Sequence, residues 1–569
     1  MNRNECGNSK VKAGLLSSVL ALGLWIGPTC VEAATPNEVA PFTGGSAGRQ
    51  LQDIQEQLER ARVEQDMAEH REKEKAGVED NQAKPADQKG SVRFTLNEVN
   101  VDASEVFPTE KRDSIIRPYL GKECTLDDLY KIVEEINTYY AEKQYLTCRA
   151  YLPPQTIHNG VVRIALIEGK NGNITLEGNR HTNSGYILDR VPMEKGKVES
   201  MEGLTERLRR FNGTNDVQLH ISLKAGTEPG TTDYVISVRE PQNSSFTLYA
   251  DNAGNFTTGE FREGLFYTNR SLLGNRDALS LGYLRSKGLN SFNAGYSVPM
   301  GRSGTRMALS YSTNGTEVID GQYHDWEIPV KGHASSYGVT LTQPLVVKDT
   351  MKVEASFGWQ KMHSVTDIMD IRLIEDDFTD YTAGISATHY GKGRAFYHRH
   401  SFTHGTWDNG APTTRINKPS ADYNIYNLNL IYQQGAQHGQ LFTARSNLQY
   451  SFTKDLRPSK QFYLGGIYSV RGYKENTVGG DNGATISLEY SVPVTNNKAL
   501  SLYGFFDYGT LWGDNLAEHH TLCGTGLGLR ARVQNFNVDL CVGIPLKREL
   551  DGYEKASKTR IHLNVSLQF

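Results

Sequence analysis

Beyond residue 33 this sequence has no uninterrupted apolar run approaching the roughly 18 residues that a membrane-spanning helix needs. It has no charge imbalance either. Its 61 Lys and Arg stand against 65 Asp and Glu, a net charge of −4, which points to no nucleic-acid partner. A phosphate-binding loop is missing: Gly524, Gly526 and Gly528 fall on alternate positions of one predicted strand face, which is no nucleotide fingerprint. Cysteine is scarce, with six in 569 residues. The mean hydropathy of −0.51 reads at first as that of a soluble protein. A β-barrel escapes that reading, because lipid-facing and lumen-facing residues alternate and average to an ordinary value.

What is present begins with an export signal. Arg3, Lys10 and Lys12 supply a basic start, Ala13 to Ile26 an apolar core, and Val31-Glu32-Ala33 a small-x-small cleavage site. Residues 1–33 are therefore expected as a signal peptide; Gly-Pro-Thr before Cys30 is a poor context for acylation. The chain leaves the cytoplasm, and any membrane span must be built of strands. Export permits disulfides. Cys124 and Cys148 flank one predicted helix, and the sequence leaves a bridge between them open. Cys523 and Cys541 fall on opposite strand faces and are expected to stay unpaired.

Residues 34–48 read as an N-terminal lead. Gly44-Gly45-Ser46-Ala47-Gly48 matches a hydrolase elbow, but no strand precedes it, and Ser46 reads instead as a helix N-cap. Residues 49–76 form a long polar helix in which Leu51, Ile54, Leu58 and Ala61 make only a thin apolar stripe. Such a helix is about 40 Å long, enough to run the length of a pore. Residues 77–90, with Pro85, are a linker.

Two small α+β units follow, 91–169 and 170–241, each ordered strand, helices, strand, strand. In the first, Thr125 caps a helix carrying Leu129, Ile132, Val133, Ile136 and Tyr140 at helical spacing; in the second, Leu204, Leu208 and Phe211 do the same. From 242 to 569 helical periodicity disappears. Short alternating stretches separated by Gly, Asn and Asp recur, enough for about 16 antiparallel strands of a membrane β-barrel. The last stretch is the clearest: Ile561, Leu563, Val565, Leu567 and Phe569 face one way, and Arg560, His562, Asn564, Ser566 and Gln568 the other. His398, His400 and His404 share a strand face and read as isolated lumenal histidines rather than metal ligands. No nucleophile, base and orienting group can be assembled, so no enzyme activity, cofactor or metal is expected.

Four further motifs occur in order. Arg149-Ala150-Tyr151-Leu152-Pro153-Pro154-Gln155 precedes Val161 to Gly169; Asp251-Asn252-Ala253-Gly254 precedes Thr258-Gly259 and Arg262. Tyr463-Leu464-Gly465-Gly466 leads to Val470-Arg471-Gly472-Tyr473, and Phe505-Phe506-Asp507-Tyr508-Gly509 follows. Over nearly the whole mature chain the sequence resembles the two-partner secretion transporters, the haemolysin or haemagglutinin secretion-activation proteins of the BamA-like superfamily.

That resemblance implies two periplasmic POTRA domains, 91–169 and 170–241, ahead of an outer-membrane barrel, with the 49–76 helix as a pore plug. It implies that the loop carrying Val470, Arg471, Gly472 and Tyr473 folds back into the lumen, Arg471 pairing with Asp507 on the wall. Asp251, Asn252, Gly254, Gly259 and Arg262 would mark the start of the barrel, and Phe569 a C-terminal assembly signal. The implied partners are a secreted passenger polypeptide, outer-membrane lipid, periplasmic chaperones and the barrel-assembly machinery, with no nucleic acid. The rival reading is a BamA-like insertase, which shares the loop motif.

Overall fold

The computed structural model describes residues 45–72, 78–79, 93–409, 421–513, 520–550 and 555–569. The expected signal peptide, most of the 34–48 lead and most of the linker lie outside the described residues. The N-terminal helix runs from Ala47 to Glu72. It starts two residues earlier than expected, because Ser46 Oγ accepts from Arg49 N at 3.2 Å and so satisfies an orphan donor of the first turn.

In the first α+β unit the expected opening strand is broken in two. Arg93–Thr95 pairs with Glu123–Thr125, while Glu98–Val101 runs parallel to Val161–Glu168. Between them Leu96 turns fully into the core. Helix Leu126–Glu142 begins with a reciprocal cap: Asp128 N donates to Thr125 Oγ1, and Thr125 N to Asp128 Oδ2. Its five apolar positions pack against Leu96, Val162 and Ile164. Cys124 and Cys148 sit buried in this core as free thiols. The second unit repeats the plan, with Lys170–Glu177 parallel to Thr231–Arg239, which is antiparallel to Gln218–Ala225. Helix Met201–Thr214 covers this sheet through Leu204, Leu208 and Phe211.

Sixteen strands then close a barrel, each antiparallel to its neighbours, as patterning predicts. They grow from eight residues in Ser244–Asp251 to 21 in Ile371–Gly391 and shorten again to nine in Arg560–Gln568. The seam joins first strand to last, from Thr247 opposite Gln568 to Asp251 opposite Asn564. Phe246 and Phe569 extend it with a reciprocal pair of backbone hydrogen bonds, 3.2 and 2.8 Å. Alternation sorts the two faces. Leu265, Tyr337, Phe357, Phe402, Leu527 and Ile561 are exposed on the outer face, whereas Asp507 and His562 are completely buried on the inner one.

This sorting corrects the reading of the histidines. Trp407 faces the interior, its indole N–H donating to Asp376 at 2.8 Å. Strand alternation therefore places His398, His400 and His404 on the lipid side with Phe402, not in the lumen. His398 and His400 lie between Phe396 and Phe402, and His400 Nδ1 is 2.7 Å from the Tyr426 hydroxyl. Cys523 and Cys541 are free, as expected: Cys541 packs against Tyr503 and Phe505 on the lumenal side, while Cys523 belongs to the opposite face.

The second unit is fastened beneath the barrel. Asp216 receives Arg276 Nε at 2.9 Å and Arg270 Nη1 at 3.3 Å, and Arg209 Nε donates to Asp349 at 3.1 Å. Arg276 is 1% exposed, so a single carboxylate anchors a buried cation at the junction.

Candidate functional site

The segment between strands Leu441–Ser451 and Asn482–Pro493 does not extend away from the barrel. It folds inward, stiffened by a short hairpin of Phe462–Leu464 with Val478–Gly480. Its tip carries Val470 to Tyr473, and all four residues are buried. Arg471 grips Asp507 with two prongs, Nε to Oδ2 at 2.7 Å and Nη2 to Oδ1 at 2.8 Å, while its backbone N–H donates to the same carboxylate at 3.0 Å. Glu489 and Ser487 receive the remaining donors at 3.2 and 3.1 Å, and the guanidinium lies 3.6 Å from the centre of the Phe505 ring. A planar fork with a bidentate acceptor and a ring beneath it is what distinguishes Arg from Lys at such a position.

The backbone of the tip comes unusually close to the wall. Gly472 adopts φ +102°, and a Cβ there would sit 2.9 Å from Pro545 N. A Cβ on Gly524 would lie 2.0 Å from Arg471 O, and one on Gly543 2.5 Å from Gly472 N. Gly524 and Gly543, on neighbouring strands, thus form the spot where the loop tip lands, while Gly526 and Gly528 make room for the Phe505 and Tyr503 rings. Tyr473 completes the fit, donating to Lys547 O at 2.6 Å and accepting from Cys523 N at 3.3 Å.

The barrel-start motif gathers at the top of the seam. Arg262 binds Asp251 with Nε and Nη2 at 2.9 and 2.6 Å, and both side chains are buried. Asn252 accepts from Leu563 N and donates to Ile561 O, both at 2.8 Å, and so clips the first strand to the last. Gly254 and Gly259 permit a tight turn, since a Cβ on Gly254 would meet Gly259 O at 2.2 Å. Phe569 ends the seam, exposed on its outer face.

The N-terminal helix fills the lumen. Three apolar anchors hold it: Leu51 in a cluster with Phe378, Trp407 and Tyr423; Ile54 against Leu284 and Leu289; Met67 against Ala395 and Ile431. The remaining contacts are polar. Gln55 donates to Ser336 at 2.8 Å, Glu64 accepts from Arg445 at 2.8 Å, and Glu59 pairs with Arg399. The helix also touches the inward loop, with Arg49 donating to Gln461 O at 3.1 Å, Asn476 to Asp53 at 2.6 Å, and Arg60 to Tyr468 O at 3.0 Å. Arg262 reaches Gln57 at 3.3 Å, so the barrel-start motif and the plug are in contact. A polar cavity of about 260 Å3 separates helix from wall beside the loop tip, lined by Arg60, Glu64, Arg445, Arg471, Glu489 and Arg530.

Sequence reading found Arg471 and Asp507 but missed Ser487, Glu489 and Arg530, which complete the charge network, and the glycines of the wall. Glycine at every second position of one strand face was the available signal; it excluded a nucleotide loop, yet it also marks a closely approached wall, by the loop backbone at Gly524 and by the Phe505 and Tyr503 rings at Gly526 and Gly528. Among the described residues one group of metal-ligating types comes together, His363, Glu375 and Asp377, with candidate ligand atoms within 4.8 Å of one another. All three are half-exposed on strands Met351–Ile368 and Ile371–Gly391, and His363 Nδ1 lies 3.1 Å from Asp377 Oδ1 as a cross-strand pair.

Residues 230–531 match the family described as haemolysin secretion/activation protein ShlB/FhaC/HecB, and residues 94–169 match the ShlB-type POTRA domain. The heme/hemopexin transporter protein HuxB of Haemophilus influenzae (strain 86-028NP) is 25% identical over 83% of this chain and 87% of its own length. The outer membrane transporter CdiB of Dickeya dadantii is 22% identical over 80% of this chain and 83% of its own. Among solved structures, CdiB from Escherichia coli covers 92% of this chain and 99% of its own at a TM-score of 0.67 and 20% identity. BamA from Haemophilus ducreyi lacking POTRA domains 1–3 reaches 0.51 at 14% identity, over 84% of this chain and 100% of its own. The two structural likenesses show the fold. With more than half of its length matched to one family, the chain belongs to the haemolysin secretion/activation (ShlB/FhaC/HecB) family of outer-membrane transporters.

Proposed function

We propose that this chain exports one unfolded partner polypeptide, of the haemolysin, adhesin or contact-dependent-toxin type, through its barrel to the cell surface or medium. The observation that carries the reading is the plug: a helix fills the pore through contacts that are mostly hydrogen bonds and ion pairs to wall and loop. Contacts of this kind exchange for water at modest net cost, about 0.5–1.5 kcal/mol for a neutral bond and about 1.5–3 kcal/mol where a charged group takes part. The helix can therefore leave without dismantling the barrel.

The passenger, kept unfolded by periplasmic chaperones, docks on the POTRA units by adding a strand to an exposed sheet edge, where main-chain hydrogen bonds accept many sequences. Arg471 and Asp507 hold the loop tip, Asp251 and Arg262 the barrel start, and Phe569 marks the chain for the barrel-assembly machinery. No nucleotide site is invoked, and folding outside the cell biases the movement outward. The insertase reading is disfavoured by the helix occupying the lumen, since a client inserted at the seam needs no such plug.

The test is release of a large secreted polypeptide encoded nearby, with and without this protein. Release that depends on the protein supports export. Undiminished release together with loss of other outer-membrane barrels would establish the insertase instead.

A further inference from the structure

Beneath the barrel, the loop preceding helix Ser184–Arg190 meets the turn that joins strands Arg262–Asn269 and Ala278–Arg285. The two enclose a cleft of about 440 Å3, with Arg180, His181 and Thr182 on one wall and Leu272, Leu273 and Gly274 on the other. The cleft is built rather than incidental. Asn183 N donates to Gly274 O at 2.8 Å, and Asn183 Nδ2 to Leu273 O at 3.2 Å and Asn275 Oδ1 at 3.1 Å. Gly274 adopts φ +86°, and a Cβ there would lie 2.6 Å from Asn183 Oδ1.

We propose that this cleft holds the phosphodiester headgroup of an inner-leaflet phospholipid, with the acyl chains lying on Leu272 and Leu273. Three observations converge. Thr182 belongs to the cleft wall and is 3% exposed; its hydroxyl is closed to solvent and has no hydrogen-bond partner, a cost that a phosphate oxygen would relieve on a small opening of this wall. Arg180 is exposed and has no ion-pair partner among the described residues, and His181 stands beside it. Two carboxylates lie nearby and both are engaged: Glu240 accepts from His181 N at 2.9 and 3.2 Å, and Asp277 from Leu273 N and Asn275 N at 3.0 and 3.2 Å. The third observation is level. Tyr267 and Tyr296 share the lipid-facing side, and Tyr296 donates to Asp277, the carboxylate that also receives Leu273 N at 3.0 Å. Such tyrosines mark a membrane boundary. Leu273, 68% exposed immediately beneath them, presents an uncovered apolar side chain where lipid tails meet headgroups. A lipid held here would bridge POTRA unit and barrel and fix the angle between them.

The experiment titrates detergent-solubilised full-length protein with dihexanoyl phosphatidylglycerol below its micelle concentration, using native mass spectrometry for stoichiometry and calorimetry for affinity. Inorganic phosphate and glycerophosphoglycerol are titrated in parallel. One lipid is expected to bind, with Arg180→Ala and Thr182→Val each weakening it about tenfold or more, as loss of a hydrogen bond to a charged group implies. Leu273→Ser should weaken lipid but leave the weak binding of the tail-less headgroup unchanged. Arg149→Ala, an exposed arginine on the other unit, should have no effect. Folding of each variant is checked by heat-modifiable gel mobility, and Thr182→Val, which only removes an unpaired hydroxyl, should be at least as stable as wild type without lipid. Equal affinity of wild type, Arg180→Ala and Thr182→Val would overturn the proposal. So would phosphate binding as tightly as the lipid, which would make the cleft a free-anion site.

Discussion

At the scale of single residues, Arg471 concentrates the most interactions in the least space. Its partner Asp507 is entirely buried, so removing Arg471 leaves an unpaired carboxylate, at a cost of about 3–5 kcal/mol. Arg471→Lys is expected to behave nearly like Arg471→Ala, because an ammonium cannot serve Asp507, Glu489 and Ser487 together. Proteolysis of the 452–481 segment in assembled barrels should be faster in both variants than in wild type; a lysine variant as resistant as wild type would contradict the bidentate account. Gly524→Ala, which changes no charge, should loosen the same segment, since its Cβ falls on the Arg471 carbonyl. Unchanged proteolysis there would show that the tip does not rest on this wall.

The thiols make a separate prediction. Burial pushes Cys148 up to about 12 and raises Cys124, whereas an unfolded cysteine titrates near about 8.5. The thiolate, the reactive form, is therefore withheld while the domain is folded and becomes available when it unfolds. In a Cys523→Ser/Cys541→Ser background, maleimide at pH 8 should label neither thiol in native protein and both in denaturant. Denatured protein that labels only after reduction would reveal a disulfide instead.

At the scale of elements, the plug should be separable from the barrel. Gln55 and Ser336 are in hydrogen-bond contact across the helix–wall boundary. A Gln55→Cys/Ser336→Cys pair, if oxidised, ties the helix in the pore; export should stop, and reductant should restore it. Export that proceeds with the helix tied would mean that the passenger does not use the lumen. The elements are also where sequence reading was strongest and where it failed for identifiable reasons. Helix Leu126–Glu142 was legible from its cap and its five apolar positions because its environment is a one-sided core. The plug was legible as a helix from its own residues, but its place in the pore came only from the family resemblance, because a polar surface suits water and a polar lumen equally. The break at Leu96 did leave a sign that the one-strand reading passed over: the apolar positions are even up to Leu96 and odd at Val99 and Val101, a shift of register that a single strand cannot make. The lipid-side placement of His398 and His400 was misread because two imidazoles in an apolar band run against alternation; only the register fixed by Trp407 and its neighbours assigns them.

At the scale of the molecule, sixteen strands, two POTRA units and a lumenal helix form one machine with three joints. Asp216 ties the second unit to the barrel through Arg270 and Arg276, Arg262 touches both the barrel start and the plug, and Arg60 links plug to loop. An Asp216→Ala variant should exchange amide protons faster at residues 183–190 and 270–277 while the barrel itself is unaffected; exchange unchanged at the junction would show that the buried pair is dispensable. The pairing of Arg471 with Asp507 followed from motif resemblance, since an arginine in a long loop gives no local sign of pointing inward. The surrounding Glu489 and Arg530 came into view only through the cross-strand register.

The central claim is passage of a polypeptide through the lumen, and it is tested most directly by arresting a passenger with a tightly folded fusion at its trailing end and cross-linking it in place. Photoreactive residues would be introduced at Ser487 and Asn447, which line the lumenal cavity, and at Leu502 and Leu527, which face lipid. The account predicts adducts from the two lumenal positions and none from the two outer ones. Adducts confined to outer-face positions, with the lumenal ones silent, would contradict export through the pore and place the client at the barrel's outer surface.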